Sequence, residues 1–123
     1  MSTLTNTLAR LSTYDAYRWA RELFDRRDYY TAARVLRHLV DTHQEDAGLG
    51  SGLGEVRELL ARAYYHSAQI VPAAEAAREL LDHEPTNAYA ALLLARSLER
   101  RSEDASAARR LASALGAPGT AAA

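Results

Sequence analysis

Apolar residues recur three and four positions apart along most of the chain, the spacing that lines one face of an α-helix. The first stretch, Tyr14 to Arg26, carries Ala16, Trp19, Ala20, Leu23 and Phe24 on one face, with Thr13 as the predicted N-cap. A short turn at Arg27 and Asp28 leads to a second predicted helix, Tyr29 to Thr42, whose inner face is Ala32, Val35, Leu36, Leu39 and Val40. A third helix is predicted over Glu55–Ala68, burying Val56, Leu59, Leu60, Ala63 and Tyr64. Pro72 suits the first turn of a fourth, Pro72–His83. Pro85 disfavours helix at Glu84, and Asn87 can cap a fifth helix, Ala88–Arg101. A sixth is predicted over Asp104–Leu115, ended by Gly116, Pro118 and Gly119. Between the second and third lies a glycine-rich stretch, 47–53, with the composition of a flexible connection.

The predicted helices pair into repeats. Offsets of 41 and then 34 residues relate Ala20, Ala61 and Ala95, and also Ala32, Ala73 and Ala107. The same offsets relate Trp19, Leu60 and Leu94, then Leu23, Tyr64 and Leu98, then Val40, Leu81 and Leu115. The longer first offset absorbs the glycine-rich insertion. Antiparallel helices come within about 8–10 Å only where the residues at their crossing are small, and an alanine midway along each helix meets that need. One such pair cannot bury its apolar face alone, so pairs stack.

The residues Ala61, Tyr64, Ala73, Leu80 and Pro85 follow a small–aromatic–small–apolar–proline order, and 34 residues is the tetratricopeptide period. The chain therefore resembles a tetratricopeptide repeat protein over about Thr13 to Ala117. The family's aromatic near the start of each first helix is replaced by Ala16, Arg57 and Ala91, and its turn glycine by Arg27, Ala68 and Ser102. The resemblance implies an all-α fold, a right-handed α-solenoid of three antiparallel helix pairs at about 13–46, 54–87 and 88–117. An N-terminal segment (1–12) would precede it and a disordered tail (118–123) would follow.

The resemblance also implies a concave groove lined by the first helix of each pair. It places Tyr14, Tyr17, Arg21, Phe24 and Asp25 there from the first repeat, and Glu55, Glu58, Arg62, Tyr65 and His66 from the second. The third contributes Tyr89, Leu92, Arg96, Glu99 and Arg100. Arg21, Arg62 and Arg96 occupy equivalent places, a ladder of guanidinium groups able to grip carboxylates at two points. Tyr17, Tyr65 and Tyr89 offer large contact area with a polar tip. The expected ligand is a protein or peptide segment, acidic or bearing a free C-terminal carboxylate, held by Tyr17, Arg21, Arg62, Tyr65, Tyr89, Arg96 and Arg100. Against this, Asp25, Glu58 and Glu99 can neutralise the three arginines within their own helices. The tyrosines can also pack between repeats, as Trp19 and Tyr64 are expected to do. An adaptor, scaffold or chaperone-like role is expected.

A second candidate surface is the outer face of the last helix. Little chain follows it, so Leu111, Ala112 and Leu115 can stay partly open and support a homodimer or larger self-assembly. Alternatively Arg109, Arg110 and Ser113 make the helix polar enough to cap the stack itself.

Composition narrows the chemistry. All 15 basic residues are arginine, and with the abundant alanine this points to a GC-rich, bacterial genome. The net charge of −1 disfavours nucleic-acid binding, which draws its affinity from phosphate neutralisation. Cysteine is absent, so no disulfide, thiol nucleophile or cysteine-bound zinc is expected. His38, His43, His66 and His83 form no metal-ligand spacing, and Gly48, Gly50, Gly52 and Gly54 lack the strand and lysine of a phosphate loop. No acid–base dyad or nucleophile elbow is present, so neither a catalytic site nor a cofactor is expected. Residues 1–11 lack the charged start and apolar run of a signal peptide, and nothing nears a membrane span, so the expected location is cytoplasmic.

Overall fold

The computed structural model describes residues 3–42 and 52–117. Residues 47–51 of the glycine-rich insertion, His43 and the 118–123 tail lie outside the described residues. Among the described residues there are seven helices and no strand: α1 (Thr3–Arg10), α2 (Thr13–Asp25), α3 (Tyr29–Thr42), α4 (Gly52–His66), α5 (Ile70–His83), α6 (Ala88–Arg100) and α7 (Ser106–Ala114). From α2 onward each helix packs against the next, and α4 also packs against α6. The fold is all-α with sequential helix packing.

The helix ends follow local hydrogen-bond demand. Ser12, not Thr13, caps α2: it is extended, and its Oγ accepts the Asp15 N–H at 3.1 Å. Asp28 Oδ1 accepts the Thr31 N–H at the start of α3, at 3.3 Å. Asn87 caps α6 as expected, with Oδ1 accepting from the Ala90 N–H at 2.9 Å. Each of these satisfies a donor that the first helical turn leaves without a partner.

The three turns that lack glycine share one geometry. Arg27, Ala68 and Ser102 have φ of 65°, 62° and 59°. The residues after them, Asp28, Gln69 and Glu103, each donate a backbone hydrogen bond of 2.9 Å to the carbonyls of Leu23, Tyr64 and Leu98. This closure satisfies carbonyls at the end of α2, α4 and α6 while the chain reverses. A left-handed φ places Cβ close to a carbonyl oxygen and costs about 1–2 kcal/mol for a residue other than glycine. The identical turns therefore persist because the packing on either side requires them.

Small residues sit where helices meet. Ala20, Ala61 and Ala95 are fully buried, as are Ala32 and Ala73. The expected third member of the second set, Ala107, is exposed, whereas Ala108, at the place of the buried Ala33 and Ala74, is buried. Asp104 Oδ1 accepts the Ser106 N–H at 2.9 Å, and α7 begins at Ser106, two residues later than expected. Around the alanines Leu36, Leu39, Leu60 and Leu80 are the largest fully buried side chains. Arg109 binds Glu99 at two points, 2.8 Å and 2.7 Å, and ties α7 to α6.

Two segments differ from the sequence expectation. The N-terminal segment contains α1, whose Leu8 is buried in the first core cluster while Leu4 and Leu11 pack against it. These leucines, at positions i, i+4 and i+7, form a short helical stripe. Gly52 and Gly54 belong to α4 and not to a linker. Burial of Leu53 and Val56 draws this first turn into the helix, where a glycine is less disruptive than in the interior.

Two stability effects are expected. Arg27→Gly, Ala68→Gly and Ser102→Gly should each stabilise the protein by about 0.5–1 kcal/mol in denaturant unfolding, the relief of left-handed strain less the extra freedom of glycine in the unfolded chain. The fully buried Ser97 hydroxyl has no hydrogen-bond partner among the described residues, and Ala63 stands at the same place on α4. Ser97→Ala should therefore be neutral or stabilising by up to about 1 kcal/mol, and a clear loss of stability would contradict this account.

Candidate functional site

Helices α2 and α4 and the α5–α6 connection surround a cleft of about 400 Å³, walled by Arg21, Gly54, Glu55, Glu58, Leu59, Arg62 and Glu84. Of the seven residues expected to hold a ligand, Arg21 and Arg62 line this cleft together. Arg96 is exposed on α6 and is not part of its wall, so two of the three ladder positions converge. Tyr17 reaches the cleft edge through its hydroxyl, which donates to Glu55 Oε2 at 3.4 Å. Tyr17, Tyr65 and Tyr89 are all half-buried. They combine a packing contact with an accessible edge.

Arg62 is the centre of the arrangement. Its guanidinium carbon lies 4.9 Å from the centre of the Phe24 ring and 5.8 Å from that of Tyr89. The cation thus bridges aromatic rings from α2 on one side and α6 on the other, an attraction to the negative ring faces. Arg100 makes the same kind of contact over Tyr65, at 5.2 Å. The Arg62 Nε is buried and has no hydrogen-bond partner among the described residues. An unsatisfied buried donor is costly, so the ring contacts on either side must offset it.

None of the intrahelical pairs expected to neutralise the arginines forms a salt bridge among the described residues, although the Arg96 charge still acts on Glu99. Glu58 accepts instead from Asn87 Nδ2 at 3.3 Å, and the same nitrogen donates to Glu84 at 3.0 Å. Glu99 is taken by Arg109, whose hydrogen bond holds its carboxyl below the usual range. Arg21 and Asp25 form no ion pair. A cap residue that also binds two cleft residues explains the arrangement: Asn87 uses Oδ1 for the helix and Nδ2 to hold the Glu58 and Glu84 carboxylates.

Sequence reasoning assigned Glu84 and Asn87 only to a helix stop and start. Gly54, expected just ahead of the third helix, lies within α4, and the Glu84 carboxylate occupies the space where its Cβ would stand. Leu92, expected in the groove, is buried in a cluster with Ala91, Ala112 and Ala117. It faces the core because it sits on the side of α6 that α7 covers. On α7 itself Ala112 is fully buried, Leu115 packs against that cluster, and Leu111 is left 38% exposed. Trp19 and Tyr64 are half-buried against the core, as expected.

His66 lies at the end of α4 against three rings, with centroids 4.9 Å from Tyr29, 6.1 Å from Phe24 and 6.0 Å from Tyr65. Desolvation, and next the nearby Arg62 charge, push its imidazole below the ordinary value of 6.5. The folded chain thus favours neutral His66, and the stability this provides is lost as pH falls from 6.5 through the folded value. Arg62→Gln should move the His66 midpoint upward toward 6.5 in a proton NMR titration. An unmoved midpoint would remove Arg62 as a cause.

No family model, curated protein or solved structure matches the chain.

Proposed function

We propose that the chain is a protein-binding module, a tetratricopeptide-type solenoid of three antiparallel helix pairs that holds a peptide segment along α2, α4 and α6. The identical left-handed turns at Arg27, Ala68 and Ser102, and the buried alanines at matching places in the three first helices, support the repeat reading. The observation that carries the binding role is the Arg62 guanidinium, held over the Phe24 and Tyr89 rings in the wall of a polar cleft. A cation held by rings from two other helices is pre-positioned, so little ordering entropy is lost on binding.

The charges of the cleft bear on the ligand. Glu55, Glu58 and Glu84 outnumber Arg21 and Arg62, so a run of acidic side chains or phosphates would meet repulsion. One carboxylate flanked by main-chain N–H groups fits better: it can accept from Arg62 and Arg21 while the peptide N–H groups donate to the glutamates. A free C-terminus has this chemistry. The role is that of an adaptor or scaffold that reads chain ends.

The test is selection from a library of peptides with free C-termini, followed by titration of the retained sequences. Affinity should be micromolar, about −8 kcal/mol. C-terminal amidation should weaken it, and Arg62→Ala should cost about 1.5–3 kcal/mol through loss of a charged hydrogen bond. Equal binding of amidated peptides, or of the Arg62→Ala protein, would refute the reading.

A further inference from the structure

We propose that the two ends of the helix stack are complementary and that copies of this chain associate head to tail, the α7 face of one copy docking on the Trp19 face of α2 in the next. The proposal rests on the repeat reading above, and is independent of any ligand in the cleft.

The internal junctions show what each end resembles. Helices α4 and α6 each pack against the helix before them. On α4, Leu60 and Ala63 are 1% and 0% exposed, and on α6, Leu94 and Ser97 are 9% and 0% exposed. The repeat offsets put Trp19 and Glu22 at these places on α2. There Trp19 is half-buried and Glu22 exposed, and with Asp25 and Arg26 they border an open concavity of about 380 Å³. Helix α1 packs on the first core cluster through Leu8 and leaves this concavity open.

The other end mirrors it. Leu36 of α3 and Ala77 of α5 are each 0% exposed, on helices that pack against their successors. The same repeat offsets put Leu111 at the corresponding place on α7, where it is 38% exposed. A junction built twice within the chain thus has its two halves left over, one at each end.

The halves also match in chemistry. Leu111 is a protruding apolar group and Trp19 borders a recess. Arg110 beside Leu111 is exposed, with Asp104 as a nearby charge, and Glu22 and Asp25 beside Trp19 are exposed and form no salt bridge among the described residues, so the two faces carry opposite charge. A second copy therefore satisfies both the apolar and the charged groups. A head-to-tail contact repeats without closing on itself in a dimer, so it produces a series of oligomers. Only one helix face is covered on each side, which places the contact among small, transient interfaces.

Sedimentation velocity of the full chain from micromolar to millimolar concentration tests this, read together with the emission of Trp19, the chain's single tryptophan. The mass should rise past a dimer and the emission should shift to the blue. Glu22→Arg and Leu111→Glu alter exposed positions and should each yield folded monomers by circular dichroism. Mixed in equal amounts they should form a one-to-one dimer and nothing larger, because each retains the face the other lacks. A wild-type monomer at every concentration, a mass that stops at a dimer, or association by Glu22→Arg alone would overturn the proposal. Peptide titration of the Leu111→Glu monomer reports on the cleft separately, so failure of one reading is distinguishable from failure of the other.

Discussion

Close approach of neighbouring helices at alanine is the constraint on which the rest of this structure depends. Each helix is too short to be stable alone, and its stability comes from burial against its neighbours. At Ala20, Ala61 and Ala95 there is no side chain beyond Cβ, so the backbones can approach and the leucines on either side interlock. The tight turns follow from the same demand. A polypeptide that must reverse within two or three residues while keeping the alanines opposed has few conformations available, and the left-handed one at Arg27, Ala68 and Ser102 is used three times in spite of its cost.

The same spacing builds the cleft. With α2, α4 and α6 held near one another, long side chains from three helices meet over one point. Arg62 then lies between Phe24 and Tyr89, which are far apart in sequence. Its position is set by ring contacts instead of carboxylates, and this leaves Glu58 and Glu84 to Asn87. The cleft consequently has both donors and acceptors to offer, the requirement for holding main chain as well as side chain.

Much of this was legible in the amino-acid order because helical periodicity is a strong signal. Six of the seven helices follow from it, and the repeat offsets identified the alanines of the first helices. What escaped has physical reasons. The α1 stripe has only three leucines and no cap that stands out. Gly52 and Gly54 have low intrinsic helix preference, which the burial of Leu53 and Val56 overrides. Helix α7 starts at Ser106 and not at Asp104, whose carboxylate accepts the Ser106 N–H, a local hydrogen bond that periodicity does not reveal. In the cleft, Arg21 and Arg62 were identifiable from their equivalent places. Glu58, the expected intrahelical partner of Arg62, is held instead by Asn87 from another helix, a contact that periodicity does not reveal.

The mainly sequential order of packing, from α2 onward each helix against its neighbour in the chain, governs how this protein opens as well as how it stands. Among the described residues no strand or distant segment clamps the first helix to the last, so most interactions are local in sequence and can form early during folding. Such an array comes apart from its termini inward. Amides in α1 and α7 would exchange with solvent through small, frequent openings that leave the middle intact, whereas those of α4 and α5, with neighbours on both sides, would wait for the whole stack to unfold.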